Sequence, residues 1–520
     1  MFRKTILLFL IVCYLAIIFF PAVILFFEKT SAQYVETHFF NIRVVKIFFN
    51  TVMVGFLSSL LAVIMGVIAG YMFEMVKVPG KKIFFPICLM PLFIPPYISA
   101  IAWTKLLGSN GVINNAIMEL FNLSQPLFAI YNPVGLIFVL SLSFFPFALV
   151  LTISGIRSLN FHLIEAARLT VRESKILRGI ILPSLKPYIF AAFLLVFVLT
   201  MSSAAAPELL RVSVYALEVC VQFAAYNSLK NAMLISLPMI FFTVLLGFLL
   251  AKFLGKRPII NFTPGYRVMK KSESRSLRLF SFFFFSFTSF ILLLPFTVLI
   301  RGVGTLGIFL AELKMSWPEI INSIFLAVLG ASFTVIFALV ICGGIIYLRR
   351  SALGKVLNIT IFIPLAISGP IYALGLIKIF NASHFGIFFG TFIPLICLSI
   401  LRFHPYLVRI LVDAMRGIKK EITEAAYLVR ANAYTRFCKI VVPLLKPFVL
   451  IAWFFCFLLI FQELSGGILL TPPGESTLAM RIEVLMHYGA YERVASLCLM
   501  EIFIPLFLLL LIFPFVKIKS

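Results

Sequence analysis

The sequence predicts an all-α polytopic membrane protein of about twelve transmembrane helices, arranged as two parallel six-helix repeats. Three observations carry this. The chain is 62% hydrophobic and only 12% charged, with a mean hydropathy of +1.13, whereas about a quarter of the residues of a soluble domain are charged. Apolar runs of the roughly 20 residues that cross a hydrocarbon core of about 30 Å recur along the whole length. One basic amphipathic segment also occurs twice, as EAARLTVRESKILRGIILPSLKP from Glu165 and as EAAYLVRANAYTRFCKIVVPLLKP from Glu424.

The apolar runs place the first six spans at 5–27, 49–73, 84–106, 133–153, 187–209 and 231–253, and the second six at 279–301, 321–348, 357–380, 387–411, 448–470 and 495–516. The first run, TILLFLIVCYLAIIFFPAVILFF after Arg3 and Lys4, is longer than a signal-peptide core and lacks a small-residue cleavage site, so its retention is expected. Between the sixth and seventh spans, KRPIINFTPGYRVMKKSESRSLRLF is polar, basic and interrupted by Pro and Gly. It reads as a linker over 255–278, separating a first repeat at 1–254 from a second at 279–520.

The halves align beyond the opening motif. Pro146, Arg157, Glu165 and Leu169 match Pro405, Arg416, Glu424 and Leu428 at a separation of 259, and Pro183 and Pro187 match Pro443 and Pro447 at 260, half of 520. Such periodicity marks a tandem duplication. Six crossings return the second copy to the orientation of the first, so a pseudo-twofold axis should run along the membrane normal, with a passage near it.

The net charge of +25 would suggest nucleic acid in a soluble protein. Here most of the Lys and Arg fall in alternate loops, and the positive-inside rule makes that face, with both termini, cytoplasmic. Lipid rather than nucleic acid is the expected surround. The eight cysteines form no CxxC pair and lie almost wholly in apolar runs, as core filler does. His38, His162, His384, His404 and His487 are scattered, with no HExxH or paired ligand spacing, so no metal site is expected. No GxxxxGK[ST] occurs, so ATP is not expected to bind to this chain.

Each copy of the repeated segment falls between the fourth and fifth spans of its half, at the basic face. Glu in the first turn, Ala-Ala after it and Asn160 or Thr423 as cap favour a short helix. In the first copy Arg168, Arg172 and Lys175 share one face and Leu169, Ile176 and Leu177 another. In the second, Arg430, Arg436 and Lys439 oppose Leu428, Phe437 and Ile440. The trailing prolines should stop that helix before the next span. A basic helix lying on lipid headgroups is the plain reading of one copy. Two copies in equivalent loops instead suggest two equivalent sockets on a dimeric partner.

Proline also breaks the third and ninth spans, at Pro91, Pro95 and Pro96 and at Pro364 and Pro370. These are either kinks tolerated by neighbouring helices or the broken helices that line a transport path. At the far ends of the fifth and eleventh spans, MSSAAAPELL and FQELSGGILL place Ser202, Ser203 and Glu208, and Glu463 and Ser465, in corresponding regions. Ionisable residues at membrane depth are costly and hence candidates for the passage wall, unless they reach the interface.

The EAA segments with their ILPSLKP and VVPLLKP endings resemble the EAA loops of binding-protein-dependent ABC importer permeases. The flanking GVINNAIMELFNLSQPLFAIY, RFHPYLVRILVDAMRGIKKEITEAAYL and QELSGGILLTPPGESTLAMRIEVLMHYGAYERVASLCL look most like the fused two-copy permeases of the ferric-iron type. Thiamine, putrescine and phosphonate permeases are more distant relatives. The resemblance implies a type I permease of the bacterial inner membrane. It implies coupling helices, at Glu165, Ala166, Ala167, Arg168 and Pro183 and at Glu424, Ala425, Ala426, Arg430 and Pro443, that seat in a homodimer of ABC ATPase subunits, the partners that bind ATP. It further implies a periplasmic or lipid-anchored substrate-binding protein that selects the cargo. Where the family usually carries Gly six residues after the Glu, this chain has Val171 and Arg430.

Two other classes share part of this pattern. A twelve-span secondary transporter would share the duplication, but its GxxxDRxGRR-like loop is replaced here by EMVKVPGKK, and charged pairs within the spans are not evident in the sequence. A membrane-embedded enzyme would need clustered carboxylates or histidines on the spans.

Overall fold

The computed structural model describes residues 14, 16–21, 23–24, 42–159, 161–171, 173–224, 229–254, 271–348, 351–381, 386–417, 439, 442–512 and 514. Among these the secondary structure is helical, and one isolated backbone bridge joins Val76 to Ser272. Nine helices are long and apolar enough to cross a membrane, or eleven spans if each of two bent pairs counts as one. Most of the expected first span, linker residues 255–270, and the second EAA segment with Thr423, Glu424, Ala425, Ala426 and Arg430 lie outside the described residues.

The first half begins with α1 (Ile42–Met75), followed by the bent pair α2 (Lys81–Leu89) and α3 (Pro96–Leu107). The short α4 (Val112–Phe121) leads to α5 (Pro133–Arg157). Next come α6 (Phe161–Arg168) and α7 (Glu173–Ile176), which carry the first EAA segment, then α8 (Leu182–Met201), α9 (Ala205–Leu209), α10 (Tyr215–Ala224) and α11 (Leu229–Leu254). The second half follows a closely similar order. It comprises α12 (Arg275–Gly302), α13 (Leu306–Met315), α14 (Trp317–Tyr347), the bent pair α15 (Ala352–Thr360) with α16 (Ile363–Ala366) and α17 (Gly369–Phe380), then α18 (Gly386–Phe389) and α19 (Ile393–Gly417). It ends with α20 (Val442–Phe461), α21 (Gly467–Leu470), α22 (Leu478–His487) and α23 (Tyr491–Ile512).

Small residues set the packing of each half. The buried face of α1 carries Gly55, Ser59, Ala62, Gly66, Ala69 and Gly70 at helical spacing, against α5 and α8, as small-residue stripes permit inside lipid. A Cβ on Gly66 would fall 2.6 Å from the Ala148 Cβ and 2.7 Å from the Leu149 nitrogen. In the second half Gly330 of α14 holds a like position, where a Cβ would fall 2.9 Å from Ile460 of α20. Gly66→Val is therefore expected to destabilise the protein by about 1–3 kcal/mol through forced separation of α1 and α5. Gly343→Val, on α14 with nothing within 4 Å of its added Cβ, is the control. Thermal unfolding of the two variants in detergent checks this, and equal midpoints would refute it.

The third and ninth spans break as their prolines predict. Pro96 forces Pro95 out of the helical region, to φ −54° and ψ 147°, and the two arms meet at 105°. In the second half Ile367 and Ser368 are extended and the arms meet at 98°.

The halves are interlocked rather than side by side. The Tyr14 hydroxyl in the first span lies 3.1 Å from His404 Nε2 on α19, and the Pro21 backbone occupies the space a Cβ on Gly375 would need. In exchange α12 packs on α2 and α3, with the Phe285 ring 4.2 Å from that of Phe73, and α11 packs along α15, α16 and α17. The bent pairs are thus gripped by helices of the opposite half.

One expectation is corrected. The prolines after the first EAA segment do not stop a helix. From Glu173 the chain runs through a π-helical turn at Leu177–Ile181 directly into α8, and the fifth span is Leu177–Met201 rather than 187–209. Pro183 is the second residue of α8 and directly follows the π-helical turn. Glu165 is correspondingly the fifth residue of α6, which begins at Phe161 directly after Asn160, and not a first-turn residue.

Candidate functional site

Both halves contribute to a cavity of about 130 Å³ between them. Pro96, Ser143, Ser202 and Ser203 line it from the first half, and Arg402, Gln462, Glu463 and Ser465 from the second. Ser202 and Ser203 directly follow the end of α8, and Gln462 and Glu463 the end of α20, so the opened helix termini supply its polar wall. The dominant feature is an ion pair between Arg402 of α19 and Glu463. The other Glu463 oxygen accepts from the Gly466 N–H at 2.9 Å. Counting back by the repeat separations of 259 and 260, the same two positions of the first half hold Ser143 and Ser203. The cavity is therefore electrostatically one-sided, although the helices around it recur.

A second cavity of about 220 Å³ continues from the first towards the EAA end of the bundle. Leu92, Phe147, Leu365 and Tyr406 line both cavities and form an apolar collar between them. Pro146, Pro405 and Phe455 add to the lower wall, with the Tyr406 and Phe455 rings 5.8 Å apart. Arg409 also reaches this wall, paired with Asp413 at 3.2 Å one turn along α19. Leu92 and Leu365 each lie just before the break in a bent pair. A shift of either pair would therefore move one side of the collar.

Of the passage candidates, Pro96, Ser202, Ser203, Glu463 and Ser465 meet in the polar cavity. Pro95 and Pro370 sit at the bends and are not among its lining residues. Glu208 lies in α9, beyond the cavity wall, beside Glu483 and His487 of α22. The candidates drawn from the sequence omit Arg402, the collar residues and Glu483, and His487 appears there only as one of five scattered histidines with no metal site expected. Arg402 had a signal, an arginine nine residues into an apolar helix. Glu501 had the same one, a fully buried carboxylate on α23 that accepts from the Tyr97 hydroxyl of the other half.

At the other end, the first EAA segment is clamped by a small core of its own. Ile164, Ile176 and Ile181 are buried with Met75, Ile156 and Leu185. Glu165 and Ala166 face outward, Ala167 and Arg168 are half-buried, and Pro183 is exposed. Leu169, expected on the apolar face with Ile176, is instead 88% exposed, because α6 ends at Arg168 and the chain turns away. In the second copy Pro443 is exposed near the start of α20.

Residues 62–260 match the family model described as "binding-protein-dependent transport system inner membrane component". Over 393 residues, 70% of this chain, the sequence is 24% identical to the putative ferric transport system permease protein FbpB 1 of Haemophilus influenzae, covering 60% of that protein. It is 23% identical over the same length to the ferric transport system permease protein FbpB of Actinobacillus pleuropneumoniae, covering 56%. A probable ABC transporter permease protein, y4fN of Sinorhizobium fredii, is 24% identical over 442 residues, 78% of this chain and 75% of that one. The chain thus spans a little over half the length of the two ferric relatives it matches.

Proposed function

We infer, from the membership of residues 62–260 in the binding-protein-dependent transport inner membrane family, that this chain is the permease of an ATP-driven ABC importer in a bacterial inner membrane, with ferric iron as its cargo. The observation that carries the reading is the pair of adjoining cavities between the halves, which share a collar whose Leu92 and Leu365 sit on the two bent spans. Residues 1–254 and 279–520 act as the two six-span units, with 255–278 as linker. The EAA face and both termini are cytoplasmic, following the alternation of basic loops.

A homodimer of ABC ATPase subunits binds ATP at the EAA segments. A periplasmic or lipid-anchored binding protein docks on the opposite face, across both units, and delivers the cargo to the polar cavity. Each partner drives the cycle only through a preference for one of the two conformations of the collar. The iron assignment rests on the ferric relatives.

The test is reconstitution of the chain in proteoliposomes with its ATPase and a candidate iron-binding protein, measuring uptake of radioactive iron. ATP-dependent uptake that requires the loaded binding protein is expected. Equal uptake of free iron without that protein, or uptake driven by an ion gradient without ATP, would overturn the reading.

A further inference from the structure

Three side chains with metal-binding chemistry converge where the two halves meet, beyond the wall of the polar cavity and away from the EAA end. Glu208 comes from α9, and Glu483 and His487 stand one turn apart on one face of α22. One ligand atom from each lies within 4.8 Å of the others. His487 Nε2 is 3.2 Å from Glu483 Oε1. The second oxygen of Glu483, Oε2, is buried with no hydrogen-bond partner, on a residue only 6% exposed.

A buried carboxylate oxygen left unpaired is costly, and a second carboxylate beside it raises the cost. Burial, and then the charge of Glu208, push the Glu483 carboxyl up to about 7. A cation among the three groups would satisfy the orphaned oxygen and cancel the repulsion together. Glu208 and His487 are exposed, which leaves coordination positions open to water or to ligands that arrive with the ion. The helix holding two of the groups is fixed by its buried Leu478, Ala479 and Ile482 and by the Thr477 cap.

We propose that Glu208, Glu483 and His487 form a binding site for a first-row transition-metal cation that bridges the two halves beyond the polar cavity. Two carboxylates with one imidazole suit iron and its neighbours better than calcium or magnesium, which take oxygen alone, or copper(I), which prefers sulfur. Ala205 and Ala206, just before Glu208, line the polar cavity. Cys220 lies near Glu208 and Glu463, whose charges add to burial in pushing its thiol up to about 12. That the ion is the transported cargo rests on the permease reading above; that the site binds a metal does not.

The experiment titrates cobalt(II), as a visible-absorption probe, into the tag-free full-length chain in lipid nanodiscs, alongside iron uptake in cells. One cobalt per chain is expected, with its affinity reduced about tenfold or more in Glu208→Gln and in His487→Gln. Both of those residues are exposed, so the variants should fold, and Glu483→Gln should lose binding as well. No cobalt bound by the wild type, or unaltered binding by the Glu208→Gln/His487→Gln double variant, would overturn the site. Cobalt binding without iron uptake by the wild type would sustain the site and overturn the transport reading, while iron uptake without cobalt binding would do the reverse.

Discussion

Glu463→Gln, made with Arg402 retained, is expected to abolish transport and to lower stability by about 3 kcal/mol. The Arg402 and Glu463 side chains are only 15% and 13% exposed, in the middle of the inter-half cavity. Removing the carboxylate charge strands a guanidinium in a confined site between apolar helices. Arg402 has no second carboxylate in the cavity lining, and the Phe403 ring lies 5.4 Å from its guanidinium. Replacing both members by apolar groups, as Arg402→Met with Glu463→Leu, should recover most of the stability, because no charge is then left unpaired. Transport should stay lost in that double variant if the pair also forms the polar wall that receives an ion. Unfolding midpoints and iron uptake of the three proteins decide the matter. A single variant as stable as the wild type would show that the pair is hydrated, and uptake restored in the double variant would make it only a structural strut.

Hydropathy and the repeat made most of the architecture legible, because both report local physics. A run of twenty apolar residues has to be satisfied as a helix wherever it packs, and Pro95–Pro96 has to break one. Partner choice is not local. Nothing in the first span announces that Tyr14 meets His404, or in α12 that Phe285 meets Phe73, since periodicity shows which face is buried and not against what. The site followed the same division. Ser202, Ser203, Ser465 and Glu463 stand out as polar residues at helix ends, but Glu208 and Glu463, which look equivalent in the sequence, diverge. Glu463 lies two residues past the end of α20 and turns into the cavity, whereas Glu208 lies seven past the end of α8, within α9, and meets α22 of the other half. The five-residue difference between the copies decides which neighbour each carboxylate finds. His487 reads in the sequence as one of five scattered histidines, because its partners are a single Glu483 one turn back and a third group more than 270 residues away, which has no sequence signature.

Reversal of charge at both EAA segments, Glu165→Lys with Glu424→Lys, is expected to stop transport almost completely while leaving the permease folded. The segment has two functional surfaces that mutagenesis can separate. Its inner surface, Ile164, Ile176 and Ile181, is packed with Met75 of α1, Ile156 of α5 and Leu185 of α8, so a force applied to the segment passes into three spans at once. Continuity through the π-helical turn into α8 makes the link to the fifth span direct. Truncation inside that small core, as Ile164→Ala, removes buried methyl groups and should cost about 2–4 kcal/mol of stability. The outer surface is different. Glu165 and Ala166 face solvent and Leu169 is 88% exposed, at an end of the protein too basic to lie in the hydrocarbon, and Glu165 makes no ion pair among the described residues. Substitutions there change stability by no more than about 0.5 kcal/mol, so whatever they destroy must lie in contact with a partner. Leu169→Asn and the Glu165→Lys/Glu424→Lys variant should therefore insert normally and unfold like the wild type. They should still fail to capture the ATPase subunit, to stimulate ATP hydrolysis or to take up iron, whereas Ile164→Ala should lose stability first. If the double reversal left capture, stimulation and uptake all unchanged, the EAA segments would not be the surface through which the ATPase moves the spans.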